Sequence, residues 1–283
     1  MQTILGKPYV KTLIVVILVA AIVSAAVVVA TISMNYPTFP PLFSSNTTFP
    51  PTQNFYVIYY GHLVNYDGKI TNQTLQIIAA KPKLVIVPYS LQDGEPNLTP
   101  RVVEQFHKAG IKVVTYTWTK YGNRSIDEVK SDISKQLIAG ADGIFIDEVT
   151  NIETDREYNY YSTIYNYIKN YDPDKLVVMN PGHYKVTERI MQISDIVSLE
   201  EEWTYYKHIP WKDHYAPARF MGVSSNEYCD NCTTNSNAAN KTRDAWNSGI
   251  GYHFSTDKYI DLPNWFDDYI SNVKEKDVST IQS

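Results

Sequence analysis

Short apolar segments alternate with longer amphipathic ones from residue 55 almost to the end of the chain. The apolar segments are rich in Val, Ile, Tyr and Phe, as buried strands are. We predict eight strands: Phe55–Tyr60, Leu84–Tyr89, Lys112–Trp118, Gly143–Asp147, Leu176–Asn180, Ile196–Glu200, Arg219–Ser224 and Ile250–Ser255. Helices are predicted at Thr71–Ala80, Thr99–Ala109, Ser125–Ala139, Asp155–Tyr171, Val186–Ile193 and Asn237–Asn247, from Pro263 to about Lys274, and less clearly near Lys207–His214.

This alternation predicts an α/β fold with a parallel sheet. Eight strand–helix units in about 230 residues favour a closed (β/α)8 barrel of the TIM type over an open doubly wound sheet. Two helix boundaries are well marked in the sequence. Ser125 and Glu128 have the spacing of a capping box. Gly110 follows Lys108 and Ala109 immediately before a strand, where a helix commonly ends.

The amino-terminal part of the chain differs from the rest. Residues 12–34 carry no charge and consist almost wholly of Val, Ile, Ala and Leu, and about twenty such residues span a bilayer core. Lys7 and Lys11 precede them, which predicts a cytoplasmic amino terminus (residues 1–11). We predict a single-pass anchor at 12–34. Small residues at 24–26 leave a cleaved signal peptide as the alternative.

In either case the remainder is expected to be extracellular or on the cell surface. Residues 35–53 are rich in Pro, Ser, Thr and Asn and predict a stalk, followed by one domain at 54–276 and a tail at 277–283. Six Asn-x-Ser/Thr sequons are candidate glycosylation sites: Asn46, Asn72, Asn97, Asn123, Asn231 and Asn240. The two cysteines, Cys229 and Cys232, predict a small local disulfide, since a zinc site needs about four ligands.

The charge of the chain bears on its partners. The formal net charge is −5, and removing Lys7 and Lys11 makes the exported part more acidic still. An acidic domain argues against nucleic acid, whose phosphates require a basic face. It is compatible with a cationic partner.

Carboxylates and aromatic residues collect at the predicted strand ends. Asp147 and Glu148 directly follow the apolar residues 144–146, and the loops at that end of a barrel form the pocket. The other residues at this rim are Tyr60, Tyr116, Tyr121, Asn180, Glu200, Trp203 and Asp257. Sugars stack on aromatic rings, and glycosidic cleavage commonly uses two carboxyl groups, so the rim predicts a carbohydrate cleft.

Three alternatives apply to these acids. Asp147 can be the cap of the next helix. The run of Glu at 200–202 can be a solvated turn, and clustered carboxylates can hold Ca²⁺ or Mg²⁺. We predict neither a metal nor a cofactor. Because neighbouring residues of a strand point oppositely, Asp147 and Glu148 share a pocket only if the strand ends or bulges there.

Several spaced motifs resemble the spherulin-four (spherulation-specific) family. In chain order they are Gly110-x-Lys112-Val113, Tyr116, Tyr121-Gly122-x-Arg124, Val129-x-x-Asp132-Ile133, Gly143 to Val149, Val178 to Gly182, Leu199-Glu200 with Trp203, Ser255-Thr256-Asp257 and Leu262-Pro263-x-Trp265. The resemblance implies a (β/α)8 glycoside hydrolase that cuts galactosamine-containing exopolysaccharides, similar to galactosaminogalactan hydrolases and endo-polygalactosaminidases.

Carried over by position, the family's acidic pair falls on Asp147 and Glu148. Its sixth-strand acid falls on Glu200, with Glu201 as the register alternative. Tyr121 and Arg124 match a loop that is substrate-facing in the family. We therefore expect a membrane-anchored hexosaminide hydrolase whose partner is a polysaccharide. A non-catalytic carbohydrate-binding or envelope protein on the same barrel is the alternative.

Overall fold

The computed structural model describes residues 52–91, 97–182, 187–199, 209–226 and 230–280, with the side chains of 275–280 excepted. The predicted cytoplasmic segment, the anchor at 12–34 and nearly all of the stalk lie outside these ranges. Within them, no helix combines the length and apolar character that a membrane crossing requires.

A parallel sheet forms the centre of the domain. Its strands are β1 (Asn54–Phe55), β2 (Val57–Ile58), β3 (Leu84–Val87), β4 (Lys112–Trp118), β5 (Gly143–Asp147), β6 (Leu176–Met179), β7 (Ile196–Ser198), β8 (Phe220–Ser224) and β9 (Tyr252–Ser255). Their order is β1-β9-β8-β7-β6-β5-β4-β3-β2, and every neighbouring pair is parallel.

The sheet closes on itself through the first predicted strand. Only Tyr56 separates β1 from β2, yet β1 pairs with β9 and β2 pairs with β3. These two short strands are therefore halves of one strand that joins the two edges of the sheet. A nearly closed parallel α/β barrel of the TIM type is confirmed, and the order of its nine short strands excludes the open doubly wound sheet.

Six α-helices surround the described part of the barrel. They are α1 (Asn72–Ala80), α2 (Pro100–Lys108), α3 (Ile126–Ile138), α4 (Asp155–Tyr171), α5 (Asn235–Asn247) and α6 (Phe266–Thr280). The Ser125 and Glu128 capping box at the start of α3 is confirmed. After α2, Gly110 takes φ +77°, a conformation that suits glycine.

Two predicted helices differ in the structure. The described part of the segment predicted at 186–193 contains the 3₁₀ helix Glu188–Gln192. That of the segment near 207–214 contains the 3₁₀ helix Lys212–His214, and a further one, Pro217–Arg219, follows. Each of these 3₁₀ helices is too short to bury a full apolar face. The last helix runs to Thr280, beyond the domain boundary predicted at 276.

Side chains alternate between the inside and the outside of the barrel along β5. Ile144 and Ile146 belong to a cluster with Val129 and Ile133 of α3 and Ile164 of α4, so they face the helices. Phe145 belongs to the other buried cluster, and its ring stacks on that of Tyr116 with centroids 6.3 Å apart. Because side chains repeat every two residues, Asp147 continues the inward row of Phe145.

The amino-terminal end of the barrel also carries carboxylates. Asp142, just before β5, accepts hydrogen bonds from the Val113 amide and from His107, both at 2.7 Å. Asp195, just before β7, accepts from the Val177 amide at 2.7 Å and pairs with Lys169 at 2.6 Å. In each case an acid from one strand pairs with the backbone of its neighbour, which ties adjacent strands together.

Below the end of β9, a buried polar cluster joins the sheet to its helices. His253 is fully buried, and its ring nitrogens lie 3.2 Å from the Ser224 hydroxyl and 3.0 Å from the Thr242 hydroxyl. Burial lowers the pKa of His253 to about 3, so the ring is neutral near pH 7. Thr242 also contacts the Tyr269 hydroxyl at 2.9 Å, which links α5 and α6 behind this strand.

Candidate active site

Asp147, the last residue of β5, is held by its two neighbouring strands. The Tyr116 hydroxyl donates to Asp147 Oδ2 at 2.8 Å, and the side-chain amide of Asn180 donates to Asp147 Oδ1 at 2.7 Å. Tyr116 belongs to β4, and Asn180 directly follows β6. Three predicted site residues therefore meet at one point on the carboxyl-terminal rim of the barrel.

The partners of Asp147 are neutral. None of the ion pairs among the described residues involves it. Asp147 is thus a carboxylate oriented by two neutral donors, with no cation of the described residues paired to it.

Glu148 satisfies the condition under which two adjacent acids can share a pocket. Strand β5 ends at Asp147, and Glu148 has φ +53°, in the left-handed region that non-glycine residues seldom adopt. The strand's alternation of side chains therefore stops between the two acids. The Glu148 side chain is partly exposed, and no hydrogen bond holds its carboxylate within the described structure.

Two buried hydroxyls support this turn. Thr119 Oγ1 lies 3.0 Å from the Asp147 carbonyl oxygen and 2.8 Å from that of Glu148, while the Tyr161 hydroxyl lies 3.4 Å from the Glu148 carbonyl. The Tyr121 amide also donates to the Glu148 carbonyl at 2.9 Å. Thr119 and Tyr161 are fully buried. The left-handed residue is consequently fixed by groups from the loop after β4 and from α4 rather than by its own side chain.

Aromatic rings extend from Asp147 along the rim. The Tyr116 ring packs edge-on against Tyr60, with centroids 5.6 Å apart, and Tyr60 packs against Tyr259 at 5.9 Å. The Tyr60 amide also donates to the Tyr259 carbonyl at 2.7 Å. The predicted residues Tyr60 and Tyr116 thus lie together, and Tyr259 connects them to the loop after β9.

That loop carries Asp257, another predicted site residue. Oδ1 of Asp257 is buried and has no hydrogen-bond partner among the residues that the structure describes. Thr256, fully buried, holds the loop, because its amide donates to the Ser224 carbonyl at 2.9 Å and its hydroxyl donates to the Lys258 carbonyl. A polar atom that is buried without a partner within a fixed loop is costly to the fold.

The loop after β4 separates two residues that were predicted together. Tyr121 is 54% exposed and lines a cavity of about 250 Å³ with Thr150, Asn151, Glu153 and Glu157, so it is accessible to a ligand. Arg124 is committed to the protein: it pairs with Asp132 at 2.6 Å and donates to the Trp118 carbonyl at 2.9 Å. Its guanidinium also lies over the Trp118 ring. We therefore assign Arg124 to holding the loop rather than to binding substrate.

Other predicted residues have different outcomes. Glu200, Trp203, Cys229 and Asn46 lie outside the described residues and stay predictions. Cys232 is disulfide-bonded.

Of the predicted glycosylation sites, four are exposed, namely Asn72, Asn123, Asn231 and Asn240. The prediction for Asn97 is wrong for the folded domain, because its side chain is 2% exposed and its amide donates to the Gly61 carbonyl, which leaves no room for a glycan.

Sequence reasoning missed three contributors to the rim, namely Thr119, Tyr161 and Tyr259. Tyr161 lies on α4, a helix with many tyrosines, and the sequence does not distinguish it from the others. Thr119 and Tyr259 each follow a strand closely, and that position was the one available signal. Their partners are distant along the chain, so no local pattern reveals the contacts.

The fold is an α/β barrel of the TIM type with its candidate site at the carboxyl-terminal rim, and the comparisons with known proteins show its family. The profile of Spherulin4, spherulation-specific family 4, matches residues 89–275, and the chain belongs to this family. Spherulin-4 of Physarum polycephalum is 31% identical over 102 residues, which cover 35% of this chain and 30% of that relative. The chain thus matches less than a third of that relative's length.

Two solved structures share the fold. Aspergillus clavatus Sph3 in complex with GalNAc has a TM-score of 0.60 and 16% identity, covering 80% of this chain and 99% of Sph3. The FMN-binding beta-glucuronidase from Facaelibacterium prausnitzii L2-6 has a TM-score of 0.50 and 10% identity, covering 81% of this chain and 45% of the enzyme. At these identities the likeness concerns the barrel.

Proposed function

We propose that this protein is an extracytoplasmic glycoside hydrolase that cleaves a hexosamine polysaccharide of the galactosamine type. The observation that carries the proposal is Asp147, held at 2.7 and 2.8 Å by Asn180 and Tyr116 on the rim where barrel enzymes bind substrates. Family membership and the GalNAc bound in Sph3 support the sugar class. The location outside the cytoplasm rests on the uncharged segment 12–34.

In this mechanism Asp147 is the ionised carboxylate of the pair. Two neutral donors orient it, and its negative charge stabilises the positive charge that develops on the sugar ring in the transition state. A second carboxyl group must protonate the leaving oxygen, and water must supply the hydroxyl that replaces that oxygen on the anomeric carbon. Glu148 and Glu200 are the candidates for that role, since one follows Asp147 and the other follows the end of β7.

Hydrolysis of defined polymers tests the proposal. The full chain in mild detergent is incubated with galactosamine and glucosamine polymers, each with and without N-acetylation, and new reducing ends are measured. We expect release from a galactosamine-type polymer. Asp147→Asn should lower the rate by a factor of about 10³ or more, because the catalytic charge is lost. Glu148→Gln and Glu200→Gln then identify the proton donor. The variant that lacks the proton donor should regain activity on a substrate with an activated leaving group, which departs without being protonated.

Asp155→Asn is the matched control. Asp155 lies on the first turn of α4, and its side chain is 88% exposed. This variant should release reducing ends at the wild-type rate. Full activity of Asp147→Asn would refute the site. Polymer binding without any release by the wild-type protein would instead establish the non-catalytic carbohydrate-binding alternative.

A further inference from the structure

Four exposed lysines lie together at the amino-terminal end of the barrel, opposite the rim that carries the candidate active site. Lys83 directly precedes β3, and Lys112 is the first residue of β4. Lys81 directly follows α1, and Lys274 of α6 donates to the Ala80 carbonyl at 2.7 Å, next to Lys81. All four lysines are exposed. We refer to them as the lysine cluster.

Backbone contacts show that these lysines are neighbours. The Lys83 amide donates to the Phe55 carbonyl at 3.0 Å, and the Lys112 amide donates to the Lys83 carbonyl at 3.3 Å. Lys274 Nζ lies 5.4 Å from the centroid of the Phe55 ring. The lysine cluster therefore surrounds the place where the first strand, which begins at Asn54, enters the barrel.

The lysine cluster carries an excess of positive charge. None of the ion pairs among the described residues includes one of its members. Asp142 accepts from the Val113 amide, next to Lys112, but its side chain is only 23% exposed. Four lysines outweigh this carboxylate, in a chain whose formal net charge is −5. The charge of this end is thus opposite in sign to that of the whole chain.

The type of cation indicates the kind of partner. Lysine ammonium groups are compact charges on flexible stems, and they attract anions without requiring one fixed geometry. Clusters of about four or more basic residues close to a membrane anchor attract anionic lipid headgroups. The lysine cluster therefore suits a surface that presents many anionic groups.

The course of the chain favours a lipid surface over a soluble polyanion. Residues 12–34 are the predicted anchor, and the predicted stalk at 35–53 joins it to Asn54, at the end of the barrel that bears the lysines. A flexible stalk of this length has a root-mean-square span of about 25 Å. The lysine cluster is then within reach of the membrane that an anchor of this kind would occupy.

We propose that the lysine cluster docks on anionic lipid headgroups of the membrane that holds the anchor. The proposal concerns the orientation of the domain and does not depend on hydrolysis. Lys112 begins β4 and Asp147 ends the parallel neighbour β5, so the lysines and the candidate site lie at opposite ends of the barrel. Docking through the lysines turns the rim away from the lipid, where a polymer outside the membrane can reach it.

The reactivity of individual lysines in lipid nanodiscs tests the proposal. The full chain is incorporated into discs of phosphatidylcholine and into discs that also contain phosphatidylglycerol, and the acylation of each lysine is followed by mass spectrometry. Lys81, Lys83 and Lys112 should react about threefold or more slowly in the anionic discs. Salt at about 1 M should remove the difference, because it screens charges beyond about 3 Å.

Lys120 is the matched control within the wild-type chain. It is exposed, it lies in the loop after β4 at the opposite end of the barrel, and none of the ion pairs of the described residues includes it. Its reactivity should be the same in both lipids. This comparison uses the wild type alone, so it is independent of any folding defect in a variant.

Neutralising the lysine cluster provides a second measurement. In the double variant Lys83→Gln/Lys112→Gln, the reactivity of Lys81 in anionic discs should rise to within about twofold of its value in neutral discs. Lys120→Gln, which removes one charge at the other end of the barrel, should leave the protection of Lys81 unchanged.

Several results would overturn the proposal. Equal reactivity of Lys83 and Lys112 in the two lipids rejects it, and so does protection of Lys120 to the same degree. Protection that is equally strong in neutral lipid and insensitive to salt would show that lipid charge is not what covers the lysines. Protection by dextran sulfate in detergent, without protection in anionic discs, would assign the surface to a soluble polyanion instead.

A chain that does not enter the discs is tested by co-sedimentation with vesicles of the same two compositions. Binding to the anionic vesicles that the double variant loses supports the proposal, and equal binding to both compositions rejects it. Hydrolysis of soluble oligomers is measured separately, so failure of the docking proposal and failure of the proposed function are distinguishable.

Discussion

The two ends of strand β5 carry aspartates with opposite surroundings. Asp142, at the amino end, accepts from the Val113 amide and from His107, whose ring can become a cation. Asp147, at the carboxyl end, accepts from the neutral side chains of Tyr116 and Asn180. The first arrangement uses an acid to join strands, and the second orients an acid that pairs with no cation among the residues the structure describes.

Asp195 repeats the arrangement of Asp142 at β7, with the Val177 amide and Lys169 as its partners. A carboxylate near a strand is therefore not by itself a sign of chemistry in this protein. What distinguishes the two ends is the type of donor. In barrels of this kind the carboxyl end builds the site, whereas the amino end contributes to stability.

The sharpest test of the comparison puts a second negative charge beside Asp147. Asn180→Asp replaces a donor at 2.7 Å by a carboxylate. Repulsion between the two acids favours a shared proton, so the acidic limb of the pH–rate profile should move to higher pH and kcat near pH 7 should fall by a factor of about 10². Steady-state hydrolysis across the pH range measures both effects.

Asn170→Asp is the control for that substitution, since Asn170 is exposed on α4. It adds the same charge at the end of α4 that leads to the amino end of β6, whereas Asn180 follows the carboxyl end of β6, and it should leave the pH profile unchanged. An unchanged profile in Asn180→Asp as well would mean that Asp147 takes no part in the reaction.

A smaller effect is expected from the support beneath the acids. Thr119→Val conserves shape but removes the hydroxyl that contacts the carbonyls of Asp147 and Glu148. The left-handed turn should loosen, lowering kcat about tenfold with little change in KM, because positioning rather than binding is lost. Kinetics of the folded variant measures this split.

Thr119→Ser retains the hydroxyl and should restore kcat to within about twofold of the wild type, provided that the hydroxyl acts by holding the turn. If Ser behaves like Val, the methyl group matters rather than the hydrogen bonds. The bracing role of Thr119 would then be rejected.

The smallest effect on activity is expected at the amino end of the barrel. Asp142→Ala leaves the Val113 amide without its acceptor, which should lower the free energy of unfolding by about 1–3 kcal/mol. The activity of the folded protein should be unchanged. Denaturant unfolding and hydrolysis, measured on the same preparation, check the two halves of this prediction. A loss of activity without a loss of stability would contradict the division between the two ends.

Much of the fold could be predicted, because strand and helix patterns are local. The apolar residues 144–146 and the capping box of Ser125 and Glu128 depend on neighbours in sequence, and both were placed correctly. The length of some helices was overestimated, as at Glu188–Gln192, which is a 3₁₀ helix. Its apolar residues also fit the spacing of a longer α-helix.

The candidate site was predictable in membership but not in arrangement. Asp147, Tyr116 and Asn180 were expected at the rim, and they meet there. The same reasoning placed Arg124 in the cleft, whereas in the structure its guanidinium pairs with Asp132 and donates to the Trp118 carbonyl. A residue's type is visible in the sequence, but its partner is not.

The order of the elements, the placing of Asp147 and Glu148 after β5 and the uncharged segment at 12–34 follow from the sequence alone. Tertiary structure decided that β1 and β2 close the barrel, that Glu148 turns left-handed, and that Asp257 keeps an oxygen without a partner among the described residues. The physical reason is the range of the interactions. The spacing of apolar residues indicates which neighbours within a few positions are buried. Thr119 and Tyr161, in contrast, are 42 positions apart and come together only in the folded barrel.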